Sequence, residues 1–266
     1  MMKNAEAGKQ DILIARDSLR QKVYRRLKEE ILNRVFEPGR EMTVEEISSR
    51  YGVSPTPIRD AMTRLGVEGL METPPNRTAR VAPINLQDVS QSYLVRRCVE
   101  SHLASMAAED MRFESTLRER VAALAAMCDT FLDATAHHAP TVEDGVLYKE
   151  IAAGLRDLMS QSAGDCLLTR MLPALTDQSR RTMMLPEEDA ETGLAVMRAG
   201  TEEHRAILVA LADGDAQRAA QATLDHLLNA EKRTLRSLGK CNVTGVEQAE
   251  PETGGHGQRG KPGREL

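Results

Sequence analysis

Tryptophan is absent from the 266 residues, and only four tyrosines and three phenylalanines occur. With so few of the aromatics that fill pleated surfaces, and with Ala, Leu and Met abundant beyond residue 85, the chain reads as mainly helical. Cysteine is also scarce. Cys98, Cys128, Cys166 and Cys241 are widely scattered, which excludes a disulfide framework or a short-spaced zinc or redox pair and leaves buried, reduced thiols as the expectation. No apolar run approaches the ~20 residues a membrane helix requires, and the N-terminus lacks an apolar signal-peptide core, so a cytoplasmic protein without a membrane partner is expected. Positive charge is lacking overall, the net being −5. The deficit is uneven: residues 16–80 hold 13 Lys and Arg against 10 Asp and Glu, residues 81–240 hold 17 against 24, so a nucleic-acid footprint belongs in the first third.

That first third is where the pattern is densest. Val23, Leu27, Ile31 and Leu32 form the inward stripe of a leading helix, with Lys22, Arg25, Arg26 and Lys28 outward, and Pro38-Gly39-Arg40 turns the chain. Val44, Ile47 and Tyr51 at helical spacing predict a helix over 44–51 that Gly52 stops. Val53 buries the turn. Ser54 is placed to cap a second helix running to about Glu68, with Pro55 and Pro57 confined to its first turn, where no amide donor is lost. Ile58, Ala61, Met62 and Leu65 form its buried stripe, leaving Thr56, Arg59, Thr63 and Arg64 outward or flanking. Strand-like alternation at 70–73 and 79–81, around the tip Pro74-Pro75-Asn76-Arg77, predicts a two-stranded basic wing.

Helix, turn, helix and wing in this order suit a module that lays one helix in a DNA groove. The stretch Gly52-Val53-Ser54-Pro55-Thr56-Pro57-Ile58-Arg59-Asp60-Ala61, followed by Leu65, Glu68, Gly69 and Leu70, resembles the core of the GntR family of bacterial transcription regulators. The resemblance implies a winged helix-turn-helix over 16–83 that binds double-stranded operator DNA. Arg59, Ser54 and Thr56 would then meet base edges or phosphates with Arg64 beside them, and Arg40, Asn76 and Arg77 would secure the backbone and minor groove. Many relatives carry arginine where Pro55 stands, so their operator sequence does not carry over.

From Asn85 the chain reads as six helices: 85–111, 114–136, 141–161, 164–185, 188–212 and 215–238. An all-α antiparallel bundle over 85–238 is expected, flanked by a disordered arm at 1–15 and a Gly-rich disordered tail at 239–266. On the first bundle helix, Leu94, Val95, Cys98, Val99, Leu103 and Met106 mark the expected buried face, with His102 at its centre, Arg96 at its margin and Arg97 pointing away. The segment resembles the FCD effector domain of the FadR branch, its six helices being closer to the VanR-type subgroup. In that pattern an acidic residue and a histidine four residues on, an acidic-histidine pair and a later histidine make a divalent-metal site. Asp144, His204 and His226 match, while Tyr148 stands where the first histidine would.

His204 lies nine residues before Asp213 and His226 eleven after Asp215, about 14 and 17 Å from the hairpin turn at ~1.5 Å per residue, so they end at nearly one level. Imidazole and carboxylate donors suit zinc, nickel, manganese or iron, but a neutral phenol is a poor ligand. Two readings stay open: a three-ligand metal site completed by water or effector, and a metal-free pocket in which the same residues hydrogen-bond the ligand. Arg96 either grips an effector carboxylate or pairs with Glu100 and only fixes its helix.

The resemblance implies a homodimer that reads a palindromic operator, acts as a repressor and releases DNA on binding a small organic acid (a sugar acid, dicarboxylate or aromatic acid) near Arg96, His102 and Tyr148. A protein-binding adaptor on the same fold is the alternative. A metal-dependent hydrolase fits less well, since the chain has no phosphate loop, no nucleophile constellation and no base coupled to the histidines.

Overall fold

The computed structural model describes residues 19–73, 77–111, 114–136, 141–164, 166–183, 190–240 and 246–247. Its N-terminal part consists of α1 (19–32), α2 (Val44–Tyr51), α3 (Pro55–Val67), β1 (Met71–Glu72) and β2 (Arg80–Val81). The stripe Val23, Leu27, Ile31 and Leu32 packs with Ile47, Ile58, Leu65 and Val81 in one core, to which Tyr24 adds. At the start of α2, the Thr43 hydroxyl accepts the Glu46 amide at 3.1 Å. Gly52 ends that helix with φ 67°, a left-handed conformation that costs a side-chain-bearing residue ~1–2 kcal/mol. α3 therefore starts only three residues later. Ser54 occupies its N-cap position, but the hydroxyl makes no capping bond. One of the two amides it would reach belongs to Pro57 and carries no hydrogen.

The two-stranded wing that the alternation predicts is present, pairing Met71 with Val81 and Glu72 with Arg80, antiparallel. Its tip, with Asn76, lies outside the described residues. Beyond the wing, β3 (Ile84–Asn85) leads into α4 (Leu86–Asp110), which Asn85 caps by accepting the Gln87 amide at 2.8 Å. The bundle continues with α5 (Ser115–Ala134), α6 (Val142–Ala163), α7 (Leu167–Met183), α8 (Ala190–Ala212) and α9 (Ala216–Lys240), the six helices expected. α9 runs through Gly239 to Lys240, and β4 (Val246–Glu247) lies parallel to β3, so ordered elements reach into the expected tail. The arm at 1–15 lies outside the described residues. Leu103 and Ala107 of α4, Leu124 and Phe131 of α5, Ile151 and Leu155 of α6, and Leu208 and Leu211 of α8 form the bundle core.

α4 corrects the expectation about its buried face. Val89, Tyr93, Arg96, Val99, Glu100, Leu103 and Ala107 point inward, whereas Leu94, Cys98 and His102 are exposed. Apolar residues surround this helix almost evenly, so no stripe sets its rotation. Instead Arg96 and Glu100, one turn apart, enter the core as a mutually neutralising pair. Cys98 is thus not the buried thiol expected; Cys128 is buried, Cys166 half-buried, and Cys241 lies outside the described residues.

α7 joins the two parts. Lys28, expected to face solvent, sits between Glu68 (2.7 Å) and Asp177 of α7 (2.6 Å). Burial disfavours its ammonium, but the bonds it donates to Asp177, Glu68 and the Tyr24 oxygen outweigh that and raise its pKa. Nearby, Arg180 pairs with Glu29 at 2.8 Å, Arg34 Nε donates to the Arg181 carbonyl at 3.1 Å, and Arg181 donates to the Ala82 carbonyl. Lys28→Met keeps the stem and removes the charge from between the half-buried Glu68 and the buried Asp177. The expected cost is about 1–3 kcal/mol of unfolding free energy, read from urea melts of the whole chain; an unchanged midpoint would show that the contact contributes nothing.

Candidate functional site

On the N-terminal part, α3 turns Ser54, Thr56 and Arg59 to solvent while Ile58, Ala61, Met62 and Leu65 anchor it beneath. Arg59 has no ion pair or hydrogen bond among the described residues and extends from the exposed side. Arg64, also on the exposed surface, is turned toward α1, donating to Gln21 at 3.0 Å and stacking on Tyr24 with 3.8 Å to the ring centre. Five residues separate it from Arg59, about 140° of helix rotation at ~100° per residue, so the two arginines face different ways. Arg40 is held over Phe36 and pairs with Glu46 at 2.7 Å, and Arg77 is exposed beside the wing tip.

In the bundle the two histidines meet as their spacing predicts. The rings of His204 on α8 and His226 on α9 lie 4.5 Å apart, and Tyr148 of α6 lies 5.9 Å from His204. Glu203 organises the α9 side. It faces His226 Nδ1 at 2.8 Å and accepts from Asn229 at 3.0 Å and both terminal nitrogens of Arg233 at 2.9 and 2.7 Å. Burial alone would raise its pKa, yet the bonds from Arg233 and His226 hold it at about 2. As a carboxylate, Glu203 can only accept, so the proton sits on Nδ1 of His226 and the Nε2 lone pair is left for the pocket. Burial pushes both imidazole pKa values below their ordinary range, His204 furthest, and keeps the rings neutral. His204 Nδ1 is buried and has no hydrogen-bond partner among the described residues.

Arg96 lies deeper than the sequence placed it. Its Nε donates to Glu100 at 2.6 Å, one terminal nitrogen reaches the other Glu100 oxygen at 3.4 Å, and the second donates to Ser179 of α7 at 2.9 Å. The guanidinium is already engaged, which favours the pairing reading over a grip on effector. Arg156 is the residue that the sequence reading missed. It follows Tyr148 and Ala152 at four-residue steps on α6 and lines the same small cavity as Tyr148, His204, His226 and Arg96. That spacing was the available signal. His102, exposed on α4, does not line this cavity, which corrects its proposed ligand role.

Two family profiles place the chain. The profile described as "Bacterial regulatory proteins, gntR family" matches residues 19–81, and the FCD domain profile matches 91–229, more than half of the chain. The chain belongs to the GntR family. It is 32% identical to the HTH-type transcriptional repressor RspR of Escherichia coli K12 over 88 residues, 33% of this chain and 39% of that protein. With the repressor GlaR of the same strain it shares 30% identity over 84 residues, 32% of this chain and 38% of that one. These matches thus span well under half of either relative. In fold it is similar to E. coli McbR/YncC (TM-score 0.66, 17% identity, covering 83% of this chain and 98% of that one). A GntR transcriptional regulator from Rhodococcus sp. RHA1 has TM-score 0.60 and 22% identity, covering 84% of this chain and 99% of that one.

A metal implied by the FCD resemblance does not suit the side chains of this GntR-family member. Asp144, the expected third ligand, forms a capping box with Thr141: its Oδ2 accepts the Thr141 amide at 2.8 Å and the hydroxyl at 3.0 Å. Tyr148 is buried and its pKa is raised above the ordinary 10, chiefly by that burial, so the phenol stays protonated. Glu203 is committed to Arg233, His226 and Asn229. Among the described residues no three His, Cys, Asp or Glu side chains converge, and two neutral imidazoles fall short of the three or four donors a resident ion takes.

Gly200 makes room for the tyrosine. A Cβ there would lie 2.5 Å from the Tyr148 hydroxyl and 3.0 Å from the ring. Gly200→Ala is expected to displace the ring and cost about 1–3 kcal/mol through overpacking, whereas Gly200→Ala with Tyr148→Phe recovers part of that loss. Thermal melts check both; equal destabilisation in single and double variants would place the clash elsewhere.

Proposed function

We propose that this chain is a cytoplasmic, ligand-responsive transcription regulator, acting as a repressor, that reads a palindromic operator as a two-fold dimer. The observation that carries the reading is the exposed N-terminal half of α3. Ser54, Thr56 and an unpaired Arg59 are presented by a helix whose opposite side completes a closed core, the geometry for entering a major groove. Arg40, Arg77 and the wing flank it on the side where backbone contacts are expected, and two relatives carry the name repressor. One reading helix covers only a few base pairs, so useful affinity requires a second copy of this chain on a second half-site. The exposed Leu94 and Cys98 on α4 supply apolar surface suited to that contact.

The ligand is a small organic acid bound in the bundle, and the pocket works without a resident metal. Support for the metal-free form comes from the capping role of Asp144, the protonated Tyr148 and the saturated Glu203.

Arg59→Ala is expected to lower operator affinity at least tenfold with the melting temperature unchanged. For the wild type, affinity should fall steeply as salt rises, because phosphate contacts release counterions. Retention of full operator affinity in the variant, measured by mobility shift, would sink the assignment of α3. Sedimentation of the DNA-bound protein as one copy per operator would refute the dimer. Elemental analysis of protein purified without chelator is expected to find substoichiometric metal; one zinc, nickel, manganese or iron per chain, lost in His204→Ala, would restore the metal reading.

A further inference from the structure

The bundle holds two adjoining spaces of unequal size. The inner one, against Tyr148, His204 and His226, measures about 40 Å³, room for a water molecule at ~30 Å³ but not for an organic acid. The outer one is a groove of about 740 Å³ between α6 and α7, within the ~300–1,000 Å³ typical of small-molecule sites. Ala152, Arg156, Thr176 and Arg180 line both and form the neck between them.

Arg156 sets the chemistry of that neck. Arg96 is tied to Glu100 and Ser179, and Arg180 to Glu29. Arg156, half-buried, has no hydrogen-bond or ion-pair partner for its guanidinium among the described residues. Burial pulls its pKa down, Glu100 opposes and Arg96 adds to the fall. A guanidinium so placed gains most from a planar, bidentate anion. Away from the neck Val146, Ala153, Leu172 and Pro173 give the groove its apolar wall, and Lys149, Glu150, Asp157 and Asp177 also line it, Asp157 paired with Arg120 and Asp177 with Lys28.

We propose that the groove between α6 and α7 is the ligand compartment, taking a monocarboxylic acid with an apolar body whose carboxylate seats on Arg156. This rests on the ligand-responsive reading above and names its site and ligand class. A regulatory consequence follows from the neighbouring Arg180. It lines the same neck while its guanidinium holds Glu29 of α1, so a carboxylate arriving beside it competes with Glu29 and loosens α7 from the DNA-reading part. Differential affinity for the loosened state is what couples the two sites.

The test uses the full chain with octanoate, hexanoate and phenylacetate as acids and octan-1-ol as the uncharged control. Calorimetry measures binding, and mobility shift measures operator affinity with and without acid. Octanoate is expected to bind the wild type and weaken its operator complex, and octan-1-ol to do neither. Arg156→Gln should lose at least tenfold in octanoate affinity and Arg156→Lys less. Ala153→Phe, an exposed position that narrows the groove without touching the neck, should block entry. Octanoate binding at wild-type strength to both Arg156→Gln and Ala153→Phe would place the acid elsewhere and overturn the site. Failure of all three acids to bind a wild type that still shifts operator DNA would overturn the ligand class and leave DNA reading standing. Loss of operator binding by the ligand-free wild type would be failure of the regulator reading itself.

Discussion

The buried pair of Arg96 and Glu100 is the constraint on which the bundle is arranged. Two charges one turn apart on α4 can enter an apolar core only together, and their desolvation consumes most of what their attraction returns, so the pair specifies more than it stabilises. What it specifies is rotation. With Arg96 and Glu100 inward, Leu94, Cys98 and His102 are turned to solvent, and the third donor direction of Arg96 is aimed at Ser179. α7 is thereby held to α4 at the level of the histidine pair.

That attachment gives α7 two working sides. Thr176, Ser179 and Arg180 border the cavity between α4, α6, α8 and α9, while Asp177, Arg180 and Arg181 grip Lys28, Glu29 and the Ala82 carbonyl in the N-terminal part. Arg180 contributes to both sides. A helix joined by point contacts to one partner and by ionic contacts to another can shift by a fraction of a turn without unfolding either, because ion pairs tolerate changes in geometry that interdigitated cores do not. The wing, α3 and α1 share one packed core. Under the proposed regulation, a change at the neck would reach the reading helix through these few bonds.

Local rules governed what could be read from the chain in advance. The bounds of α2 and α3, the Gly52 stop and the two-stranded wing all depend on neighbours within a few residues, and their spacing is legible in sequence. The meeting of His204 and His226 was legible too, because an antiparallel hairpin converts residue count into height. Other features depend on partners distant in the chain. Lys28 looked solvent-facing since its carboxylates, Glu68 and Asp177, come from 40 and 149 residues away. The rotation of α4 was misread because apolar periodicity is nearly absent there and two charges decide it. Asp144 matches the metal-ligand position of the family pattern, four residues before Tyr148, yet it also stands three residues after Thr141, the spacing of a capping box, and the box is what forms.

Tyr148 shows how one replacement redirects a site. A histidine at that position would add a third nitrogen donor near His204 and His226; the phenol adds bulk and a protonated hydroxyl, and Gly200 on α8 leaves the space that bulk needs. With Asp144 capping α6 and Glu203 neutralised by Arg233, the negative charge that would hold a divalent ion is spent within the protein. Two neutral imidazoles and the unpaired guanidinium of Arg156 remain facing the cavity. The charged residues lining that cavity, Arg96, Arg156 and Arg180, are all cationic, a setting that disfavours a metal ion and suits the acid proposed for its neck.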